Sequence, residues 1–133
     1  MKQQTPLRKR SKSPLAKLKA EAWRVFSLWI RKRDNYTCYT CGKRNDISPS
    51  SIHAGHFISR RHNATMFNEM NVHAQCLFCN MWDYGNSGTY AQNLIRDYGK
   101  EKFDELVRLG RTVHQFTAKD LEALIERYSL GDK

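Results

Sequence analysis

The sequence predicts a single α+β domain, a β-hairpin and short helix joined by cysteines, set between an N-terminal basic helix and a C-terminal run of helices. Three observations lead there. The four cysteines form two identical Cys-x2-Cys pairs, Cys38/Cys41 and Cys76/Cys79. The 34 residues between the pairs carry His53, His56, His62, Asn71 and His73, longer than a simple two-knuckle ribbon requires. Apolar residues recur at three- and four-residue spacing before the first pair and after the second, the period of amphipathic helices. A chain of 133 residues has room for one modest core and not two.

Residues 1–14 (with Pro6, Pro14 and interspersed Lys, Arg and Ser) read as a disordered basic arm, and 15–133 as the folded domain. Leu15, Leu18, Ala22, Val25 and Trp29 mark a helix over 15–33, whose closing Arg31, Lys32 and Arg33 suit the negative end of its dipole. Cys38-Tyr-Thr-Cys41-Gly42 is a knuckle in which Gly42 permits the turn back, and 43–50 is a polar loop. Ser51–Ser59 reads as a strand, and 60–71 as a loop with a second, weaker strand around Met66 and Phe67. Cys76–Cys79 opens a short helix that Gly85 stops. The helical part over 89–130 divides into Tyr90–Tyr98 stopped by Gly99, Lys100–Leu109 stopped by Gly110, and Ala118–Tyr128. Thr117 with Asp120 three residues on gives the last helix a capping-box-like start. No internal repeat is visible.

No run approaches the roughly 18–20 apolar residues of a membrane helix, and the N-terminus lacks a signal peptide's apolar stretch. The expectation is therefore no membrane association, no export, and a reducing cytoplasm. There disulfides are disfavoured, and two Cys-x2-Cys knuckles supply four thiolates for one tetrahedral zinc ion per chain. Two short-range disulfides are the alternative; a redox pair would need a thioredoxin-like strand and helix that neither motif has. Four thiolates leave no open coordination position, so the zinc is structural.

The formal net charge of +10 is one-sided. Residues 1–33 hold eleven Lys/Arg against Glu21 alone, whereas residues 34–133 hold twelve against twelve acids. A one-sided cationic segment concentrates a polyanion and gains affinity by counterion release, which favours nucleic acid over an anionic membrane surface or a merely solubilising tail. Arg24, Arg31, Lys32 and Arg33 would line the phosphate-facing side of the first helix. Arg60 and Arg61, just after the first strand, either clamp a phosphate or form a generic basic loop.

A hairpin bearing an imidazole, closed onto a helix bearing an Asn, can hydrolyse a phosphodiester. The imidazole takes a proton from water, and side-chain oxygens hold a divalent cation on the phosphate. The order Ala54-Gly55-His56-Phe57, then Phe67-Asn68-Glu69-x-Asn71-Val72-His73-x-Gln75-Cys76-x2-Cys79-Asn80, then Gly85-Asn86, resembles the NinG (Rap) recombination proteins of lambdoid phages. More broadly it is similar to the HNH, or ββα-metal (His-Me finger), nucleases. The likeness covers about residues 20–130, including Tyr98-Gly99-x-Glu101. It implies an HNH-like finger and a phage- or prophage-encoded endonuclease in the bacterial cytoplasm. It also implies cleavage of branched recombination DNA, with Mg²⁺ or Mn²⁺ as catalytic cation, leaving 5′-phosphate and 3′-hydroxyl ends.

Position by position, the resemblance makes His56 the general base, Asn80 the cation ligand and Asn71 a brace of the hairpin loop. It makes Cys38, Cys41, Cys76 and Cys79 the structural zinc site. The sequence departs from the pattern at three positions. Gly55 stands where many HNH enzymes carry a metal-binding Asp. His53 stands where NinG proteins carry an acid, so it either contacts the cation or packs in the loop. Asp83 replaces a usual Lys; it either adds a carboxylate near Asn80 or is a solvated acid. His73 reads as a packing residue, His62 and His114 as surface residues, and Trp82, Tyr84 and Tyr90 as core rather than base-stacking groups. Branched-substrate cutters often dimerise, so a homodimer is compatible with the sequence, which shows no dimer face. The rival readings are a non-catalytic zinc-containing DNA-binding accessory protein, or a sequence-reading nuclease for which no specificity module is visible.

Overall fold

The computed structural model describes residues 12–44 and 51–129, apart from the Trp82 side chain. The expected basic arm up to residue 11, the polar loop from residue 45 and the chain end from residue 130 lie outside the described residues.

Helix α1 spans Pro14–Arg33, with Pro14 in its first turn and the Ser13 hydroxyl accepting from the Ala16 amide at 3.2 Å. Its buried stripe is Ala22, Val25, Phe26 and Ile30, while Leu15 is 44% exposed. The stripe keeps the expected Ala22 and Val25, with Trp29 packed at its margin, and adds Phe26 and Ile30, because this part of the helix meets the sheet and the last helix.

Strands β1 (Ile52–His56) and β2 (Val72–Cys76) pair antiparallel, from Ile52 opposite Cys76 to His56 opposite Val72. The expected second strand around Met66 and Phe67 is not formed. Met66 ends the short helix α2 (Asn63–Met66), and the pairing strand lies six residues further on. Every residue of β2 is buried, polar His73 and Gln75 included, because elements cover both faces of the sheet. Ala54 and Val72 pack on Val25, Phe26 and Ile30 of α1.

After β2 the chain makes a wide π-type turn over Phe78–Trp82 and a 3₁₀ turn over Tyr84–Asn86, where Gly85 adopts φ +78°. Helices α3 (Ser87–Tyr98), α4 (Lys100–Gly110) and α5 (Ala118–Ser129) follow. Gly99 at φ +93° separates α3 from α4, as expected of a stop. Gly110 has a different reason from the one expected. It closes α4 in helical conformation, and a Cβ there would lie 2.8 Å from Ile58 Cδ1. The capping box of α5 is formed in both directions, Asp120 N–H to Thr117 Oγ1 at 3.1 Å and Thr117 N–H to Asp120 Oδ2 at 2.9 Å. Tyr128 of α5 meets Phe26 edge-on at a 4.8 Å ring separation, which locks α5 to α1. Among the described residues no helix is long and apolar enough to cross a membrane.

Candidate metal centre and adjoining cationic cleft

The two knuckles converge. Ligand atoms of Cys38, Cys41, Cys76 and Cys79 all lie within 4.8 Å of one another, and Cys41 Sγ is 3.7 Å from Cys76 Sγ. Thiolates about 2.3 Å from a tetrahedral zinc ion stand about 3.8 Å apart, so the tetrad fits one such ion. Gly42 at φ +78° turns the first knuckle, returning Lys43 O to the Cys38 amide at 2.8 Å. All four cysteines are free of disulfides, and three are buried, Cys41 being exposed. The centre ties residues 38–41 to the end of β2 and the turn after it.

That attachment sets the position of Asn80. Its Nδ2 lies 3.3 Å from His53 Nδ1, and both residues line a cleft of about 260 Å³ along the free edge of β1. Trp23, Ser27 and Arg31, one face of α1 at four-residue spacing, form the opposite wall with Arg60. A second groove of about 300 Å³, lined by Lys12, Lys19 and Met66 among others, shares Trp23 and Arg60 with the first. Arg60 rests over the Trp23 ring at 5.2 Å. The two grooves adjoin along α1 and together carry Lys12, Lys19, Arg31 and Arg60.

His56 closes the arrangement from the side. Its ring stacks on Trp23 at 4.8 Å, and its Nε2 lies 3.0 Å from the Met66 carbonyl. A carbonyl only accepts, so Nε2 carries the proton and Nδ1 keeps its lone pair. Burial, seconded by Arg60 and opposed by the Met66 bond, lowers His56 from 6.5 to about 4. The ring is therefore a free base at neutral pH. His53 and His56 occupy odd and even positions of β1 and so point to opposite faces; His53 lines the cleft, and His56 reaches it only through Trp23.

Asn71, fully buried, braces the loop that supplies the Met66 carbonyl. Its Oδ1 accepts from the Ile58 amide at 2.7 Å, and its Nδ2 donates to Ile58 O and Thr65 O, each at 3.0 Å. That is the bracing place expected for it. His73 is a core residue, stacked on Tyr39 at 3.9 Å. Tyr90 donates to Gly55 O at 2.8 Å, so its oxygen accepts from His73 Nδ1, and Tyr98 donates to His73 Nε2 at 2.9 Å. Burial, with Arg33 next, lowers His73 to about 4.

The other sequence candidates separate. Arg33 is held within the fold, bonding both Asp34 oxygens, Glu69 O and Val72 O, which removes it from the expected phosphate-facing set. Arg24 pairs with Glu21 in solvent. Lys32 and Arg61 are exposed, and Asp83 is exposed and absent from the cleft lining. His62 and His114 are exposed as expected. Tyr90 is core, but Tyr84 is 94% exposed, against expectation. The sequence reading missed Trp23 and Ser27 as cleft residues, although their spacing with Arg31 marks a common helical face. A larger, mainly apolar groove of about 500 Å³ lies by α2 and α5. Its polar groups serve the fold: Asn63 bonds Lys19 and His114 O, and Asp120 caps α5.

A cysteine tetrad placed to hold one metal ion, beside a two-stranded sheet and a cleft lined by Arg31 and Arg60, defines a small α+β protein. The family model described as Bacteriophage Lambda NinG protein matches residues 1–132, and the chain belongs to the NinG family. It is 29% identical over 124 residues to Protein ninG of Escherichia phage lambda, covering 92% of this chain and 59% of that one. Protein ninG of Escherichia phage 933W is 28% identical over 129 residues, covering 96% and 62%. Protein ninG of Salmonella phage P22 is 27% identical over 124 residues, covering 92% and 59%. The chain thus spans 59–62% of the length of these curated relatives. No solved structure matches it.

Proposed function

We propose that the chain is an HNH-type, metal-dependent DNA endonuclease acting on branched recombination intermediates. The observation that carries this reading is the His53–Asn80 pair, 3.3 Å apart in a cleft walled by Arg31 and Arg60 and flanked by an unprotonated His56. Arg31 and Arg60 seat the phosphodiester. His53 and Asn80, the latter with its amide turned to present Oδ1, would hold Mg²⁺ or Mn²⁺. Such a cation neutralises charge developing on the leaving 3′ oxygen. His56 Nδ1 takes the proton of the attacking water, while Met66 O keeps the ring's other nitrogen protonated. Trp23 holds that ring against α1. The zinc-stapled turn fixes Asn80 and takes no part in the chemistry.

The test is a cleavage panel of junction, flap, single-strand and duplex DNA with and without Mg²⁺ or Mn²⁺. His56→Ala should bind DNA as the parent does and lose at least about 100-fold in cleavage rate, the usual scale of a lost general base. Equal nicking by both proteins would remove His56 from the mechanism. A second reading, a non-catalytic DNA-binding accessory protein, is favoured by His56 standing on the other strand face from His53. It predicts salt-sensitive binding and no nicking of any substrate with any divalent metal.

A further inference from the structure

Seven large hydrophobic residues are exposed among the described residues, and four of them, Leu77, Phe78, Met81 and Tyr84, fall within one eight-residue segment. Phe78 is 65% exposed, Met81 62% and Tyr84 94%. The other three, Leu15, Leu109 and Val113, are scattered over α1, the end of α4 and the loop after it. A concentration of apolar surface on a small protein marks a contact site, whereas scattered residues do not.

Both ends of this segment are tied to the fold. Cys76 and Cys79 anchor it to the metal centre, Asp83 N–H donates to Phe78 O at 2.9 Å, and Gln75 Nε2 donates to Gly85 O at 2.8 Å. Asn86 Nδ2 approaches Cys79 Sγ at 3.9 Å. The segment is also the one that carries Asn80 into the cationic cleft, so the apolar surface begins where the phosphate-binding wall ends. Residues 77–86 contain no Lys or Arg, and Asp83 repels phosphate. The segment is thus built to meet something that is attached to phosphates but is itself uncharged and flat.

We infer that Phe78, Met81 and Tyr84 form a platform for unpaired or unstacked nucleobases at the mouth of the cleft, with the attached backbone running past Arg60 and Arg31. Aromatic side chains stack on bases of any sequence, and exposed Phe and Met act as wedges at distorted steps. The inference rests on the nucleic-acid part of the proposed function and not on hydrolysis. It supplies the substrate feature that the cleft alone does not, namely preference for DNA with a base out of the duplex stack.

The experiment uses the zinc-loaded full chain without Mg²⁺ or Mn²⁺. Forked DNA with 2-aminopurine at the first unpaired position is compared with perfect duplex of the same length. Wild type should quench or shift the 2-aminopurine signal and bind the fork more tightly than the duplex. Phe78→Ala/Tyr84→Ala should weaken fork binding about tenfold, the scale of one lost stacking contact, and leave duplex binding within about twofold. All three side chains are exposed, so melting temperature and zinc content should stay unchanged and serve as the folding control. Equal loss on fork and duplex, or an unchanged 2-aminopurine signal in the variant, would overturn the platform. Self-association that disappears in the variant would assign the patch to a second copy of the chain and likewise overturn it. Failure of wild type to bind either DNA would overturn the nucleic-acid reading with it. Intact fork preference, with no cleavage once Mg²⁺ or Mn²⁺ is added, would remove only the hydrolytic part of the proposed function.

Discussion

Gly55 shows how one residue shapes the site. It precedes His56 in β1, and the sheet has no room there for a side chain. A Cβ on Gly55 would stand 1.9 Å from Gln75 Oε1 and 2.7 Å from Gln75 Cδ. Gln75 cannot simply turn away, because its Nε2 donates to Gly85 O and to Thr40 Oγ1. Its Oε1 is the one buried side-chain polar atom without a hydrogen-bond partner among the described residues, lying instead against the bare Gly55 Cα. Gly55→Ala should therefore destabilise the protein by about 2–3 kcal/mol, combining overpacking with loosened amide bonds. Gln75→Ala removes the obstacle as well as those bonds, so the double variant should be clearly more stable than the sum of the single losses. Thermal melts of the four-protein cycle measure that coupling; strict additivity would mean that the two residues do not meet.

At the scale of elements, the longer helices were legible and the short α2 was not. Apolar spacing marks α1, Gly99 separates α3 from α4, and Thr117 with Asp120 caps α5. Thr117→Ala should cost about 1 kcal/mol in a urea melt, with Asp120→Ala similar and the two losses less than additive, since the two hydrogen bonds are reciprocal. The cysteine tetrad was legible from spacing alone. The second strand was not, because Val72–Cys76 alternates apolar and polar residues yet buries both sets, His73 and Gln75 finding partners in α3 and the 3₁₀ turn. The orientation of His56 was also hidden, since its partner is a backbone carbonyl and carbonyls leave no mark in a sequence. Arg33 was misread for a related reason. Two of its four acceptor atoms are the carboxylate oxygens of neighbouring Asp34, but the other two, Glu69 O and Val72 O, are main-chain atoms 36 and 39 residues away.

For the whole molecule, the two buried imidazoles set an acid limit on stability. His56 and His73 are both lowered from 6.5 to about 4, chiefly by burial. Between those values the unfolded chain binds protons at both positions and the folded chain does not. Stability is therefore complete above about pH 6.5 and falls as the pH drops toward 4, by up to about 1.4 kcal/mol per pH unit for each group. Acid also protonates the cysteine thiolates and releases a bound zinc ion, which lowers stability in the same direction. The two contributions separate in His56→Gln, whose amide can still donate to Met66 O but does not titrate. Urea midpoints measured from pH 7 to pH 4.5, with zinc retention followed in parallel, should show a distinctly shallower fall in this variant than in wild type. Zinc release should follow the same pH course in both. A slope identical to wild type would remove His56 from the acid sensitivity and leave it to His73 and the metal centre. The carboxylate of Asp97, held at about 2 by Arg96 and Tyr39, titrates below this window and does not enter the comparison.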